Sequence, residues 1–100
     1  MRMVITSKVK DVDIWLSFRE ERLLTISRFG TNIWEYVESG GSNITAITFD
    51  VIDEKSMYEA HDCLYSLYQS TNVINEDRDM VNKESFFKSA DEMSKLFIDI

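Results

Sequence analysis

Thr31–Asp50, which reads TNIWEYVESGGSNITAITFD, predicts a β-hairpin. Thr31–Glu38 and Asn43–Asp50 are rich in β-branched and aromatic residues, which suit the pleated surface of a strand. The SGGS turn between them contains two glycines, and glycine readily adopts the positive φ angles of tight hairpin turns. We therefore expect two antiparallel strands joined at this turn.

Both faces of the predicted hairpin carry apolar side chains, because residues alternate between faces along a strand. One face holds Ile33, Glu35, Val37, Thr45, Ile47 and Phe49. The other holds Asn32, Trp34, Tyr36, Glu38, Ile44, Ala46 and Thr48. A sheet that is covered by helices on one side is ordinarily more polar on its second side. The second face, and Trp34 above all, therefore needs a cover, which a partner subunit or a ligand would provide.

The residues before the hairpin predict a strand followed by a helix. Arg2–Val9, which reads RMVITSKV, has the composition of a first strand. Asp13–Phe29 has apolar residues at helical spacing, and Gly30 is expected to end that helix at its C′ position. The main apolar stripe consists of Trp15, Phe18, Ile26 and Phe29.

The residues after the hairpin predict a second helix and a fourth strand. Asp53 is a suitable N-cap for a helix over Glu54–Gln69. The fourth strand is expected within Glu84–Ile100, where Glu84–Met93 also fits a short helix. The resulting order, βαββαβ, is the ferredoxin-like α+β pattern, with both helices on one face of an antiparallel sheet. One such domain accounts for residues 1–100.

Composition restricts the partners and cofactors that the chain is expected to have. The net charge of −7 argues against nucleic acid and against an anionic membrane, because binding phosphate groups needs a basic surface. A single cysteine, Cys63, and a single histidine argue against a disulfide and a zinc site. Met1–Val9 lacks the apolar core of a signal peptide, and no run approaches the length of a membrane span. We expect a cytoplasmic protein with no metal, no cofactor, no nucleic acid and no membrane partner.

The run VKDVDIWLSF over Val9–Phe18 resembles the V-x-D-x-x-x-W opening of the antibiotic-biosynthesis-monooxygenase-like (ABM-like) group. The helix ending in Phe29-Gly30, the strand TNIWEYVE and the segment TAITFDVIDEKSMYEA also resemble that group, so the likeness covers about Met3–Tyr68. It implies a dimeric α+β barrel, in which two ferredoxin-like sheets pack by their open faces. Members include cofactor-independent oxygenases of aromatic polyketides, haem-degrading enzymes and proteins with no known activity, so the fold leaves the activity open.

Three residues are candidates for binding a flat aromatic ligand. Haem-degrading relatives use a helix histidine as an iron ligand, together with a tryptophan and an asparagine, and His61 is the corresponding candidate here. The third strand, NITAITFD, has no tryptophan, so that set is incomplete. Trp34 could line an aromatic pocket, and Tyr36 could donate a hydrogen bond to a substrate, as in the oxygenase relatives. Each residue also has a structural alternative. His61 could lie half-buried at the edge of its helix, Trp34 could lie in an interface, and the hydroxyl of Tyr36 could lie at the rim of the sheet.

Arg22 and Phe18 complete the candidate set. Arg22 falls in the apolar stripe one turn after Phe18, where a charged group must reach solvent or find a carboxylate. It could contact an anion in a helix–sheet cleft, or its side chain could extend to solvent and pair with Glu35 or another acid, which is the interpretation that we favour. Cys63 and His61 are two residues apart and point in different directions on a helix, so a Cys–His nucleophile is not expected.

Three functions follow from these features, of which a haem-handling enzyme is the third and the least supported, because its residue set is incomplete. The first is the binding or oxidation of a small aromatic molecule in a cleft between helices and sheet, lined by the five candidates. The second is a non-catalytic dimeric module with regulatory or structural duties. No set of residues forms a complete catalytic group, so the sequence leaves open whether the protein is an enzyme.

Overall fold

The computed structural model describes residues 2–38 and 40–74, and the backbone of two short strands beyond them. The elements are β1 (Arg2–Lys8), α1 (Val12–Ser17), α2 (Arg19–Ser27), β2 (Gly30–Glu38), β3 (Ile44–Val51), α3 (Glu54–Ser70), β4 (Met80–Val81) and β5 (Phe97–Asp99). They form an α+β fold with an antiparallel sheet, in agreement with the class predicted from the sequence.

The main sheet consists of β1, β3 and β2, with β3 in the middle. β3 pairs with β1 along the whole of β1, from Arg2 opposite Asp50 to Lys8 opposite Ile44. β3 pairs with β2 through the predicted hairpin, in which Gly41 has a positive φ of 72°. The prediction of the first strand and of the hairpin is therefore confirmed.

β2 contains one irregularity that the sequence analysis did not anticipate. Its pairing with β3 shifts between Thr31 and Trp34, so Asn32 and Ile33 together lie opposite Phe49. Two residues facing one is the arrangement of a β-bulge, which bends the strand and redirects side chains. Asn32 has a positive φ of 55°, a conformation that asparagine tolerates better than most residues.

Two short strands extend the sheet at its edges. β4 pairs with β1 at Thr6 and Ser7, and β5 pairs with β2 over Tyr36–Glu38. β4, which lies beside β1, precedes the range Glu84–Ile100 in which the fourth strand is predicted. β5 lies within that range, but it pairs with β2 at the other edge of the sheet. The helix considered for Glu84–Met93 lies outside the described residues.

The predicted single helix over Asp13–Phe29 is wrong, because two helices occupy this stretch. α1 and α2 meet at Phe18, whose φ of −100° and ψ of 19° depart from helical values. α3 agrees with the prediction and begins after the N-cap Asp53, whose carboxylate accepts a hydrogen bond from the backbone N–H of Ser56 at 2.7 Å.

The prediction that Gly30 ends a helix is wrong, because Gly30 is the first residue of β2. A Cβ atom at this position would lie 2.4 Å from the backbone oxygen of Asp50 and 2.7 Å from Cδ2 of Phe49. The close approach of β3 is therefore the reason for glycine at this position.

The described helices cover one face of the sheet and form the main core with it. Sheet residues of this core are Met3, Ile5, Ile47, Phe49 and Val51, and helix residues are Trp15, Ile26, Met57, Ala60, Leu64 and Tyr68. A second, smaller apolar cluster consists of Val4 and Ala46, with Tyr36 packed against them. Because Val4 and Ala46 alternate with core residues along their strands, this second cluster lies on the opposite face.

Candidate functional site

The five candidate residues fall into two groups on opposite faces of the sheet. The group on the helix side consists of Phe18, Arg22 and His61, and the group on the opposite face consists of Trp34 and Tyr36. Glu35, which stands between the two aromatic residues in β2, points toward the helices and pairs with Arg22. The structure therefore does not bring all five residues together in one helix–sheet cleft.

Arg22 is completely buried and forms an ion pair with a buried carboxylate. Its Nε donates a hydrogen bond to Oε2 of Glu35. Nε of the half-exposed Arg19 lies 3.0 Å from the other oxygen of the same carboxylate, as an ion pair without hydrogen-bond geometry. The predicted partner of Arg22 is thus confirmed, whereas the predicted route of its side chain to solvent is wrong because no part of it is exposed.

The guanidinium of Arg22 also explains why the first helix is interrupted. Its Nη1 donates to the backbone oxygen of Trp15, which in a continuous helix would accept from the backbone N–H of Arg19. The N–H of Phe18 donates to the same oxygen at 3.2 Å, which tightens the last turn of α1. Arg22 therefore caps α1 from within α2, since a cationic side chain can satisfy the last carbonyls of a helix.

Two aromatic residues connect Arg22 to the third helix. The guanidinium carbon lies 3.7 Å from the centroid of the Trp15 ring, in a cation–π contact. Nε1 of Trp15 donates to Oη of Tyr68 on α3 at 2.8 Å. Burial of the Tyr68 hydroxyl raises its pKa to about 12, so the phenol stays protonated near neutral pH. We call Trp15, Arg22, Glu35 and Tyr68 the Arg22 cluster.

The Arg22 cluster links α1, α2, β2 and α3, and its contacts are those of a structural clamp. The charge of Arg22 is matched by Glu35, and Tyr68 retains its proton. Within the described residues, Nη2 of Arg22 has no hydrogen-bond partner. The cluster contains no serine, threonine or cysteine beside a base, which is the pair that activates a hydroxyl or thiol nucleophile for acyl transfer.

The other two candidates on the helix side lie at separate positions. His61 is 8% exposed, and its Nδ1 lies 3.4 Å from Oδ1 of Asp62. Phe18 is half-buried and packs against the main core at the junction of α1 and α2. In residues 2–38 and 40–74 no group of three histidine, cysteine, aspartate or glutamate side chains could hold a metal ion.

We call the face opposite the helices the second face. Its residues are Arg2, Val4, Thr6 and Lys8 of β1, Trp34, Tyr36 and Glu38 of β2, and Ile44, Ala46, Thr48 and Asp50 of β3. Trp34 lies opposite Thr48 and remains 46% exposed, although it is one of the largest apolar side chains of the protein. Tyr36 lies opposite Ala46 and packs on it. The two aromatic residues are thus next to each other on one surface.

A polar network adjoins Trp34 at one end of the second face. Nε1 of Trp34 donates to Oδ1 of Asn32 at 2.9 Å, and the backbone oxygen of Asn32 accepts from Nη1 of Arg2 at 2.6 Å. Arg2 also donates to Oγ1 of Thr48 at 2.6 Å and lies 3.2 Å from the carboxylate of Asp50. The hydrogen bond with Arg2 lowers the pKa of Asp50 below its usual value.

Sequence analysis did not identify Asn32, Arg2 or Asp50 as parts of a site. The available signal was Asn32 itself, because asparagine is unfavourable within strands and tolerates positive φ. The register of β1 against β3 brings Arg2 and Asp50 opposite each other, and nothing in the local sequence specifies that register.

Among the second-face residues of β1, β2 and β3, two positive and two negative side chains balance, although the chain as a whole has a net charge of −7. Arg2 and Asp50 face each other at one end of the main sheet, and Lys8 and Glu38 lie at the other end. Each end therefore has one positive and one negative side chain, and the centre between them is apolar or uncharged.

Comparison of the chain with protein-family models and with curated proteins found no match. Among the described helices, none combines the length and the apolar character needed to cross a bilayer. The geometry of the two sheet faces is therefore the main support for a function.

Proposed function

We propose that the protein is a non-catalytic module that forms a homodimer by packing the second face of one copy against the second face of another. The observation that carries this proposal is the position of Trp34 and Tyr36 on the face opposite the helices, with Trp34 46% exposed. Tryptophan and tyrosine are enriched at the centres of protein interfaces, where they contribute much of the binding energy.

The charge distribution favours a second copy as the partner. Two chains of net charge −7 repel each other, and the repulsion is weakest where their neutral surfaces meet. A two-fold axis sets the same patch against itself, so a patch needs both signs of charge to complement its own copy. Arg2 and Asp50 at one end, and Lys8 and Glu38 at the other, meet this requirement.

The same proposal assigns the chain to the ferredoxin-like class. The sheet order β4-β1-β3-β2 and the helices on one face support that assignment, with β5 as an addition beside β2. Two such sheets packed by their second faces would form the dimeric α+β barrel that the ABM-like resemblance implies. A regulatory or structural role agrees with the absence of a nucleophile–base pair from the Arg22 cluster.

Sedimentation equilibrium at micromolar concentrations tests the dimer. The wild-type protein should sediment at about twice the monomer mass of 11.7 kDa. Trp34→Glu should give folded monomers, because the interface would then have to bury an unpaired carboxylate. Leu24→Glu is the matched control, since Leu24 is 61% exposed on α2 and lies away from the second face.

Two results would contradict the proposed dimer. One is a wild-type protein that stays monomeric throughout the range. The other is equal disruption by Trp34→Glu and Leu24→Glu, which would point to a general effect of added charge.

A second candidate function is the binding of a small aromatic molecule, and the exposed ring of Trp34 beside Tyr36 favours it. Flat ligands stack on such rings, and Arg2 at the edge could contact a polar group of the ligand. Titration with haem and with aromatic ligands, followed by tryptophan fluorescence, tests this candidate in wild type, Tyr36→Ala and His61→Ala. Saturable micromolar binding that is lost in Tyr36→Ala and kept in His61→Ala would support a site on the second face. Loss in His61→Ala alone would instead favour a site on the helix side.

A further inference from the structure

We propose that Asn32 is the positioning residue of the dimer interface, and that it holds the indole of Trp34 as a preformed anchor for an uncharged surface on the second copy. This inference rests on the proposed dimer. It goes beyond that proposal because it names the residue that fixes the anchor and the kind of surface that the anchor meets.

The backbone at Asn32 has a positive φ within a strand. Asn32 lies in a bulge within β2 with a φ of 55°. Among the described residues, the other asparagines with positive φ are Asn43, at a hairpin, and Asn72, at a helix end. A turn accounts for Asn43 and Asn72, but no turn accounts for Asn32. Bulges redirect side chains, and the side chain that follows this bulge on the second face is Trp34.

Hydrogen bonds fix both ends of Asn32. Its backbone oxygen accepts from Nη1 of Arg2, and its side-chain nitrogen lies 3.4 Å from Oδ2 of Asp50. Its side-chain oxygen is then directed at Nε1 of Trp34, 2.9 Å away. The orientation of the indole is therefore set by contacts within one chain before any partner binds.

This arrangement determines what the partner must provide. An indole N–H that is buried at an interface without an acceptor destabilises the complex. Because Asn32 already supplies the acceptor, the opposing surface needs only apolar or small side chains. On the second copy, the accessible uncharged residues of the second face include Thr6 and Ile44, whereas Val4, Ala46 and Thr48 are buried within their own chain. A preordered anchor also reduces the entropy lost on association.

Asn32→Gly tests the assignment, because glycine keeps the positive φ and removes the side-chain acceptor. Asn72→Gly is the matched control, since Asn72 has a φ of 58° at the end of α3. We expect Asn32→Gly to weaken the dimer by roughly tenfold in sedimentation equilibrium, the order of effect of one lost interface hydrogen bond. Asn72→Gly should leave the dissociation constant unchanged.

A double-mutant cycle gives a readout that a purely structural role would not produce. Trp34→Phe keeps an aromatic ring but removes the N–H, so it should weaken the dimer and make a further Asn32→Gly change nearly silent. In NMR spectra of ¹⁵N-indole-labelled protein, Asn32→Gly should shift the Trp34 Nε1–H signal. The Trp15 signal, from an indole bonded to Tyr68, should stay in place.

The outcomes separate the two proposals. A wild-type dimer that Asn32→Gly leaves intact would overturn the role of Asn32 and leave the dimer standing. Additive effects of Asn32→Gly and Trp34→Phe would also overturn it, because the two side chains would then act independently. A monomeric wild type would overturn the proposed function and this inference with it.

Discussion

The buried ion pair between Arg22 and Glu35 predicts unequal effects when either partner is removed. In Glu35→Leu, the guanidinium of Arg22 stays fully buried without its carboxylate. In Arg22→Met, the carboxylate of Glu35 keeps a cation, because Nε of Arg19 lies 3.0 Å away and its side chain is half exposed. Glu35→Leu should therefore destabilise the fold more than Arg22→Met.

The magnitudes follow from what each change leaves behind. Removing one partner of a buried pair typically costs about 3–5 kcal/mol, which is the range expected for Glu35→Leu. Arg22→Met removes charge-assisted hydrogen bonds to Glu35 and to the Trp15 oxygen but leaves Arg19 in place, so we expect about 2–3 kcal/mol. The variant that carries both Arg22→Met and Glu35→Leu should be more stable than Glu35→Leu alone, because it buries no unpaired charge.

Urea unfolding followed by far-ultraviolet circular dichroism measures these differences, provided that the slope with denaturant stays constant. Lys55→Met is the control, since Lys55 pairs with Glu59 on the surface at 3.8 Å. Exposed pairs of this kind contribute at most about 1 kcal/mol. If Arg22→Met destabilised the protein as much as Glu35→Leu, or if the double variant were the least stable, the clamp described for the Arg22 cluster would be wrong.

Three further predictions test other parts of the structure. Gly30→Ala should destabilise the protein by about 1–3 kcal/mol in the same urea assay, because the new Cβ would clash with the backbone of β3. Gly40→Ala, whose Cβ would meet only the tip of a flexible side chain, should change the stability by less than about 0.5 kcal/mol. The raised pKa of Tyr68 predicts that stability is retained below pH 10 and is then lost up to about pH 12, because the unfolded chain gives up the phenolic proton first. The slope over that window should be about 1.4 kcal/mol per pH unit for this group, and pH-dependent unfolding of Tyr68→Phe should lack it. Arg2→Met should raise the pKa of Asp50 toward its usual value in an NMR carboxyl titration, and an unchanged pKa would contradict the network around Asn32.

The strands and the third helix could be predicted because local signals specify them. The glycine turn, the β-branched runs and the Asp53 cap act over a few residues each, and the observed elements follow them closely. The ion pair between Arg22 and Glu35 could also be anticipated, because a charge within an apolar stripe requires a partner.

The interrupted helix depends on contacts that no local pattern contains. The break at Phe18 requires the side chain of Arg22 to reach the Trp15 oxygen, and that position depends on Glu35 in β2. A helical period continues through this stretch of sequence, so periodicity alone predicts one helix. The same periodicity predicts a helix end at Gly30, whereas the actual constraint on this glycine is the backbone of β3.

The grouping of the candidate site could be predicted only in part. Alternation placed Trp34 and Tyr36 on one face and Glu35 on the other, which agrees with the structure. The same alternation separates Trp34 from the helices. Trp34 and His61 therefore lie on opposite faces of the sheet and do not share a helix–sheet cleft.

The most direct test of the proposed dimer is an isotope-filtered NOE measurement on a mixture of labelled and unlabelled protein. Such a spectrum reports only contacts between copies. We predict intermolecular NOEs from the ring of Trp34 to methyl groups of the partly exposed residues of the second face, such as those of Thr6 and Ile44. Intermolecular NOEs that arise instead from Leu24 on the helix side, or no such NOEs at millimolar concentration, would contradict the proposed interface.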